Sequence, residues 1–412
     1  MNVRTWTPQP HYLAMNAGVL AAPADAAISN DELLHWLALK LLPGLGTRRA
    51  VQLINRYRTP QAIFRASVSE LEAEGVSAGV ARNIASGCTF EDAVDQHQRT
   101  IDYGVTLIPV TSPQYPPRLR EIFDPPLMLF ARGRVELLQS LIIGVVGTRR
   151  PTAYGTAAAE RLAADLAHAG LTIASGMARG IDTVAHKAVL AQGGDTIAVF
   201  GCGVDQIYPA ENRKLSEEIA GKGLALSEYP MNTPAYPQNF PVRNRIISGM
   251  SAGVLVVEGA QYSGSAITAK MAMEQEREVF AVPGSIMSKM SWGPNLLIKQ
   301  GAKLVQDWND VVVELSPADR RTLVAKAQAR RGIVGLELAE GEPGSGEENA
   351  PELSPISRKL LNRLRPDAPE HLDTLLETFE DCSSSEIIAA LFELEMAGLA
   401  RQLPGKNFVR VW

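Results

Sequence analysis

Cysteine, aromatic residues and long apolar runs are all scarce in this chain of 412 residues. Its three cysteines, Cys88, Cys202 and Cys382, lie far apart, which excludes both a CxxC metal site and an even-numbered disulfide framework. So few and so scattered cysteines favour a reducing compartment, and we expect a cytoplasmic protein. No apolar run reaches the roughly 18 residues that a membrane helix needs, so we expect no membrane span.

Motifs for the common nucleotide cofactors are missing as well. No GxxxxGK[ST] loop occurs, so the chain has no visible means of P-loop ATP hydrolysis. The stretch Gly201-Cys202-Gly203 begins like a dinucleotide fingerprint, but Gln206 stands at the sixth position, where that fingerprint requires glycine. No set of nucleophile, base and acid is found either. We therefore predict no catalytic residue, no metal and no cofactor.

The formal net charge of −5 argues against a polyanionic partner only at first sight. Six glutamates and no lysine or arginine lie in ELAEGEPGSGEENAPE, residues 337–352. The content of Gly, Pro, Ser and Glu marks this segment as a linker. Without it the chain is close to neutral, so a nucleic acid remains a possible partner if positive residues converge locally.

The pattern of apolar residues divides the chain into five parts. Residues 1–30 contain a broken, weakly basic apolar stretch and are interpreted as a flexible leader. Residues 31–104 have a helical pattern, 105–312 alternate strand and helix, and 313–353 form the acidic linker. Residues 354–412 show three helical patterns followed by two short strands, which is the order of a winged helix.

For the helical part and the winged-helix-like part, the sequence does not decide between a DNA ligand and a protein partner. In the helical part, PGLGTRRAVQLINRY and EGVSAGVARNIAS resemble helix-hairpin-helix and sterile-alpha-motif-like (SAM) turns, which can meet a DNA phosphate. A helical hairpin that only packs on its neighbour explains the same residues. In the winged-helix-like part the third helix, which often reads DNA, carries Glu386, Glu393 and Glu395 and no cation. We therefore interpret that part as a protein-interaction module.

Six β-branched runs alternate with helical stretches in the central part. They are SLIIGVVG, LTIAS, DTIAVFG, LALSEY, AGVLVVE and EVFAVPG. Continuous apolar strands that alternate with helices predict an α/β fold, a Rossmann-like doubly wound parallel sheet with helices on both faces. Ligands of such sheets bind outside the carboxyl ends of the strands, so the residues that follow the strands share one rim.

The residues that follow these strands suit a phosphate chain. Arginine forks grip phosphate oxygens and stack on bases, an aromatic ring offers a stacking face, and a Ser-Gly-Ser helix start presents free amides to an anion. The predicted rim residues are Gly147, Arg149, Ser175, Gly176, Arg179, Asn239, Phe240, Arg243, Asn244, Arg245, Ser263, Gly264 and Ser265. We place residues 239–245 on a long loop. For each arginine the alternative is a pair with an acidic neighbour, such as Glu228 or Glu258, that only holds the loop.

Several ordered motifs resemble one protein family. GTRRPTAYG resembles GSRxxTxYG, SGMARGIDTVAH resembles SGxARGIDxxAH, and NFPVRNRIISGMSAGVLVVE follows in the same order. Over about residues 105–307 the chain is similar to the DNA processing protein A (DprA/Smf) family. The resemblance implies a mediator of natural transformation that binds and protects incoming single-stranded DNA and helps to load a RecA-type recombinase. It also implies a homodimer formed through the Rossmann-like domain, and no enzymatic activity.

The competing interpretation is an enzyme. Phosphoribohydrolases of nucleoside monophosphates have a related Rossmann-like fold and also place a glutamate and a glycine turn at this rim. Glu258, beside the Ser263–Ser265 turn, would fit that role. The stretch FAVPGSIMS lacks the PGGxGT turn of those enzymes, which favours the DNA-binding interpretation.

Overall fold

The computed structural model describes residues 28–261, 263–323 and 326, together with parts of the C-terminal segment. In that segment the described residues are 354–365, 369–379, 382, 386, 387, 390, 391, 394, 399–403 and 407–410. The chain divides into two compact units, residues 1–334 and 335–412. The predicted leader and the glutamate-rich part of the predicted linker lie almost entirely outside the described residues.

Six helices form the beginning of the first unit, as the helical pattern predicts. They are α1 (Asn30–Leu41), α2 (Thr47–Tyr57), α3 (Pro60–Arg65), α4 (Val68–Ala73), α5 (Ala78–Ser86) and α6 (Phe90–Asp102). Side-chain caps define several starts: Ser29 accepts a hydrogen bond from the amide of Glu32 at 3.2 Å, and Ser67 and Glu70 form a reciprocal capping box. Trp36 and Ile84 are buried in the core that joins these helices.

A nine-stranded sheet follows. Its strands are β1 (Thr106–Pro109), β2 (Met128–Gly133), β3 (Ile142–Val146), β4 (Thr172–Ser175), β5 (Thr196–Phe200), β6 (Leu224–Ser227), β7 (Gly253–Val256), β8 (Glu278–Ala281) and β9 (Lys303–Leu304). The order across the sheet is β1-β2-β6-β5-β4-β3-β7-β8-β9. All six predicted runs are strands, and β3 to β9 pair in parallel. The strands β1 and β2 pair antiparallel at one side of the sheet, which the pattern of apolar runs does not predict.

Helices cover both faces of this sheet. They are α7 (Pro117–Arg120), α8 (Ala153–His168), α9 (Ile181–Ala191), α10 (Arg213–Lys222), α11 (Asn239–Met250), α12 (Gly264–Glu274), α13 (Trp292–Lys299) and α14 (Trp308–Val312). Alternate residues of β3 show the two faces: Ile143 and Val145 pack with α8 and α9, whereas Ile142 and Val146 belong to the core that contains α11 and α12. The predicted doubly wound fold is confirmed.

The predicted linker begins too early in the sequence. Residues 317–323 are helical, and Leu323 is buried in the core on the α8 face. Arg118 donates to both carboxylate oxygens of Asp319, at 2.8 and 2.7 Å, which ties this helix to α7. The stretch is short and rich in charge, so its single core residue gave no periodic signal.

The second unit has the helix and strand order of a winged helix. Its described elements are α15 (Pro355–Arg363), β10 (Glu370–His371), α16 (Leu372–Thr378), β11 (Ala400–Leu403) and β12 (Asn407–Arg410). The three strands lie in the order β10-β12-β11. Leu360, Leu375, Ile387 and Phe408 are buried together in its core. Of the three glutamates of the predicted third helix, Glu386 is described and exposed, and the other two lie outside the described residues.

Candidate nucleic-acid interface

The loops that follow β3, β4, β5 and β6 lie together at the carboxyl ends of these strands, because the strands are parallel neighbours. The rim is this set of loops. Arg149 follows β3 and has an exposed side chain. Among the described residues, no carboxylate lies within ion-pair distance of its guanidinium. Its Cζ atom lies 6.0 Å from the centre of the Phe240 ring, in the range of a cation–π interaction. A free cation therefore stands beside an aromatic ring at the rim.

Phe240 is half-buried and is held from several directions. A Cβ atom at Gly201, which follows β5, would lie 2.9 Å from the ring, so only glycine leaves room for the ring there. The Tyr208 ring centre lies 5.3 Å from that of Phe240 with a tilt of 44°. The Cζ atom of Arg243 lies 6.0 Å from the ring centre. The ring is thus fixed in place and keeps a partly open surface.

Residues 239–245 are helical, which corrects the predicted loop. They form the first two turns of α11, and Pro241 stands in the first turn, where a helix tolerates proline. Asn239 and Asn244 are half-buried. The Asn239 carbonyl accepts a hydrogen bond from the Tyr229 hydroxyl at 3.4 Å, and Asn244 Oδ1 accepts one from Arg243 at 3.2 Å.

Arg243 points into the protein. It is 3% exposed, and its guanidinium donates to the carbonyl oxygen of Gly176 at 2.6 Å and to that of Val199. Burial lowers the pKa of Arg243 to about 10, although the nearby Asp182 carboxylate acts in the opposite direction. Arg243 therefore holds the loop after β4 through the Gly176 carbonyl and lies against the Phe240 ring on the side of the protein interior.

Arg245 is also turned inward. Its guanidinium lies 2.7 Å from Glu228 Oε2 and 3.0 Å from Asp124 Oδ2, and both Arg245 and Glu228 are buried. This is the acidic pairing that the sequence left open as an alternative. The guanidinium of Arg245 therefore does not reach the surface of the rim, because its partners come from two distant segments of the chain.

Arg179 stays at the surface but has a partner. Its guanidinium donates to both carboxylate oxygens of Glu211, one of them at 3.0 Å, and both side chains are more than half exposed. Solvent screens a surface ion pair of this kind, so the pair contributes little to stability and a phosphate can compete with Glu211 for Arg179.

A buried carboxylate shapes the loop after β4. Asp182 Oδ2 accepts hydrogen bonds from the amides of Gly176 at 3.1 Å and Ala178 at 3.3 Å. Burial raises the pKa of Asp182 to about 6, although Arg243 and these amides favour the ionised form. The Ser175 hydroxyl is buried and donates to the carbonyl oxygen of Val145 at 2.6 Å. The predicted ligand role of Ser175 therefore gives way to a structural one.

The Ser-Gly-Ser turn opens α12, as predicted. The Ser263 hydroxyl accepts a weak hydrogen bond from the amide of Ala266 at 3.4 Å and lies 2.7 Å from the Ser265 hydroxyl. Gly264 is exposed, whereas Ser265 is buried. The turn follows β7, which pairs with β3 on the side away from β4, so it continues the same edge of the sheet. Gly147, which follows β3, is packed so closely on Ile181 that a Cβ atom would lie 2.5 Å away.

Glu258 is the residue that the enzyme interpretation would use, and both of its carboxylate oxygens accept hydrogen bonds within the protein. It is 1% exposed, and its two oxygens accept hydrogen bonds from the hydroxyl and the amide of Thr152, at 2.6 and 2.9 Å. Thr152 is the N-cap of α8, so Glu258 stabilises the start of that helix. Its carboxylate oxygens are not presented at the rim.

Two residues of this site are absent from the sequence prediction. Tyr208 contacts Phe240, and Glu211 pairs with Arg179. Both lie in the segment GCGVDQIYPAE, which follows β5. Because this segment follows a parallel strand, its position in the sequence could have placed these residues at the rim.

Two further classes of site are absent from the described part of the chain. No group of three or more His, Cys, Asp or Glu side chains there is arranged to hold a metal ion. None of the helices within the described ranges has the length and apolar content to cross a bilayer.

The fold and the rim define a Rossmann-like protein with an aromatic and cationic ligand edge, flanked by a helical part and a winged helix. The family model of DNA recombination-mediator protein A matches residues 106–316, and that of the DprA winged helix domain matches residues 345–406. The chain belongs to the DNA processing protein A (DprA/Smf) family, which confirms the resemblance seen in the motifs.

Individual relatives extend over most of the chain. Protein Smf of Escherichia coli is 48% identical over 306 residues, which cover 74% of this chain and 77% of that protein. Protein Smf of Synechocystis is 33% identical over 405 residues, which cover 93% of this chain and all of that protein. The crystal structure of DNA processing protein A from Streptococcus pneumoniae superposes with a TM-score of 0.62 at 34% identity and covers 69% of this chain and 98% of that one.

Proposed function

We propose that this chain is a single-stranded DNA-binding recombination mediator of natural transformation. The observation that carries this function is the unpaired guanidinium of Arg149, 6.0 Å from the partly open ring of Phe240, at the ligand-bearing edge of the sheet. A cation beside a stacking surface suits a flexible polyanion whose bases are free. In a duplex the bases are already stacked on each other, so the ring favours single strands.

The predicted rim residues take two kinds of role in this proposal. Arg149, Phe240, Asn239, Asn244, Ser263 and Gly264 reach the strand directly, and Arg179 joins them when phosphate displaces Glu211. A second group positions the first without touching DNA. It consists of Gly147, Ser175, Gly176, Arg243, Arg245 and Ser265.

Such contacts go to phosphates and to base faces, and they carry no sequence code. We therefore propose that the protein binds single strands of any sequence and presents them to a RecA-type recombinase. It acts without a catalytic residue, in the cytoplasm, as a homodimer formed through the Rossmann-like domain. The winged-helix unit serves as a protein-interaction module.

The test is a gel shift with single- and double-stranded oligonucleotides of equal length and the full chain. We expect preferential binding of the single strand. Arg149→Ala should weaken that binding by about tenfold for every sequence and reduce the salt slope, because one phosphate contact is lost. Arg161→Ala, an exposed arginine of α8 away from the rim, serves as the matched control. Equal affinity of the wild type for both strand forms, or no effect of Arg149→Ala, contradicts the proposal.

A further inference from the structure

Two exposed cations stand at the start of α10. Arg213 and Lys214 occupy its first turn, where the positive end of the helix dipole disfavours cations. The acidic residues one turn further on do not neutralise them. Glu217 lies 3.1 Å from Arg132, and Glu218 lies 2.9 Å from Lys222. Within the described residues, neither Arg213 nor Lys214 has an ion-pair partner.

The start of α10 is fixed to the rim. Asn212, its N-cap residue, is buried and does not cap the helix with its side chain. That side chain donates instead to the carbonyl oxygen of Met177 at 3.0 Å and to Thr183 Oγ1 at 2.9 Å. Both acceptors belong to the loop and helix start that follow β4. The two cations are therefore held beside the loop that carries Arg179.

The segment that leads into α10 carries an aromatic residue that contacts Phe240. Tyr208 is 44% exposed and packs at 5.3 Å on the Phe240 ring, from the same segment that leads into α10. Its exposed ring is a second surface on which a base can stack. Tyr208 thus contacts Phe240 and stands five residues before the exposed pair Arg213–Lys214 in the sequence.

We propose that bound single-stranded DNA continues from Phe240 onto Tyr208 and over the start of α10, where Arg213 and Lys214 bind the next phosphates. This inference rests on the proposed function and lengthens its binding site. The partner is a single strand, because the step from one ring to the next requires unstacked bases. The cations at the helix start are explained by this phosphate path, which offsets their unfavourable position in the helix.

The test compares two lengths of labelled oligothymidine by fluorescence anisotropy. One has about 6 nucleotides and fills the site at Phe240, and the other has about 20 and also reaches α10. In the full chain, Arg213→Glu/Lys214→Glu should weaken binding of the long strand by about tenfold or more. It should also reduce the salt slope by about 1.4, the value for two lost phosphate contacts. Binding of the short strand should change by less than about twofold.

The matched control is Lys222→Glu/Lys299→Glu. These exposed lysines lie in the last turns of α10 and α13, at the opposite edge of the sheet, and their reversal changes the net charge by the same amount. We expect the control to bind both lengths almost as the wild type does. An equal loss for both lengths, or an equal loss in the control, would overturn the path over α10.

Tyr208 has its own readout. A 2-aminopurine base placed next to the one on Phe240 should lose fluorescence on binding to the wild type and to Tyr208→Phe, because both keep the ring. The quenching should disappear in Tyr208→Leu, with about tenfold weaker binding. Unchanged quenching in Tyr208→Leu refutes the second stacking surface. If Arg149→Ala weakens binding while these variants do not, only this inference fails; if the wild type binds neither oligonucleotide, the proposed function fails with it.

Discussion

The four arginines predicted at the rim differ in exposure and in the groups that they contact. Arg149 ends in solvent, Arg179 forms a surface ion pair, and Arg243 and Arg245 are buried. The sequence predicts that the segments carrying them meet, because the carboxyl ends of parallel strands share an edge. It does not predict which side chains point outward, because their carboxylate and carbonyl partners come from other segments of the chain. The DNA contacts of the site stay a prediction.

Replacing a buried arginine by alanine should lower the free energy of unfolding much more than replacing an exposed one. Arg245→Ala should lower the free energy of unfolding by about 3–5 kcal/mol, because Glu228 would remain buried without its partner. Arg149→Ala should change it by less than about 0.5 kcal/mol, because its side chain is exposed. Urea unfolding of both variants provides the measurement. Adding Glu228→Gln to Arg245→Ala should restore part of the lost stability. If Arg149→Ala loses as much stability as Arg245→Ala, the contrast between the exposed and the buried arginine is wrong.

At the scale of the element, α11 arranges the aromatic site. Phe240 and Arg243 are three residues apart on this helix, so they share a face and the guanidinium lies beneath the ring. The predicted loop for this stretch is wrong, because a proline in the first turn does not prevent a helix. Ile246 and Ile247, later in the same helix, are buried in the core and hold it against the sheet.

The position of the Phe240 ring depends on the glycine beneath it. Gly201→Ala adds a Cβ atom 2.9 Å from the ring, so the ring must shift, and we expect single-strand affinity to fall by about three- to tenfold. Gly221→Ala, whose Cβ would meet no atom within 4 Å, is the control and should bind as the wild type does. In a Phe240→Ala background Gly201→Ala should have little further effect, since both changes act on one ring. Additive losses in anisotropy titrations would show that Gly201 acts elsewhere.

At the scale of the whole molecule, the sequence predicts the doubly wound sheet because each parallel strand requires a crossover helix, and the alternation is visible as a pattern. It does not predict the edge strands β1 and β2, which are joined through the four-residue helix α7 and lack that alternation. It also places the end of the first unit too early, since Leu323 is the single core residue of the charged helix over residues 317–323. The net charge of the chain is negative, yet the rim keeps exposed cations, so the local distribution of charge decides the ligand.

The most direct measurement of the central claim is photocrosslinking of the full chain to a bromodeoxyuridine-substituted oligonucleotide, followed by mapping of the labelled peptides. Crosslinking reports which aromatic side chains touch the bases. We expect labelling at Phe240 and Tyr208, competed by unlabelled single strands and strongly reduced in Arg149→Ala. Labelling confined to peptides outside residues 147–265 would contradict it.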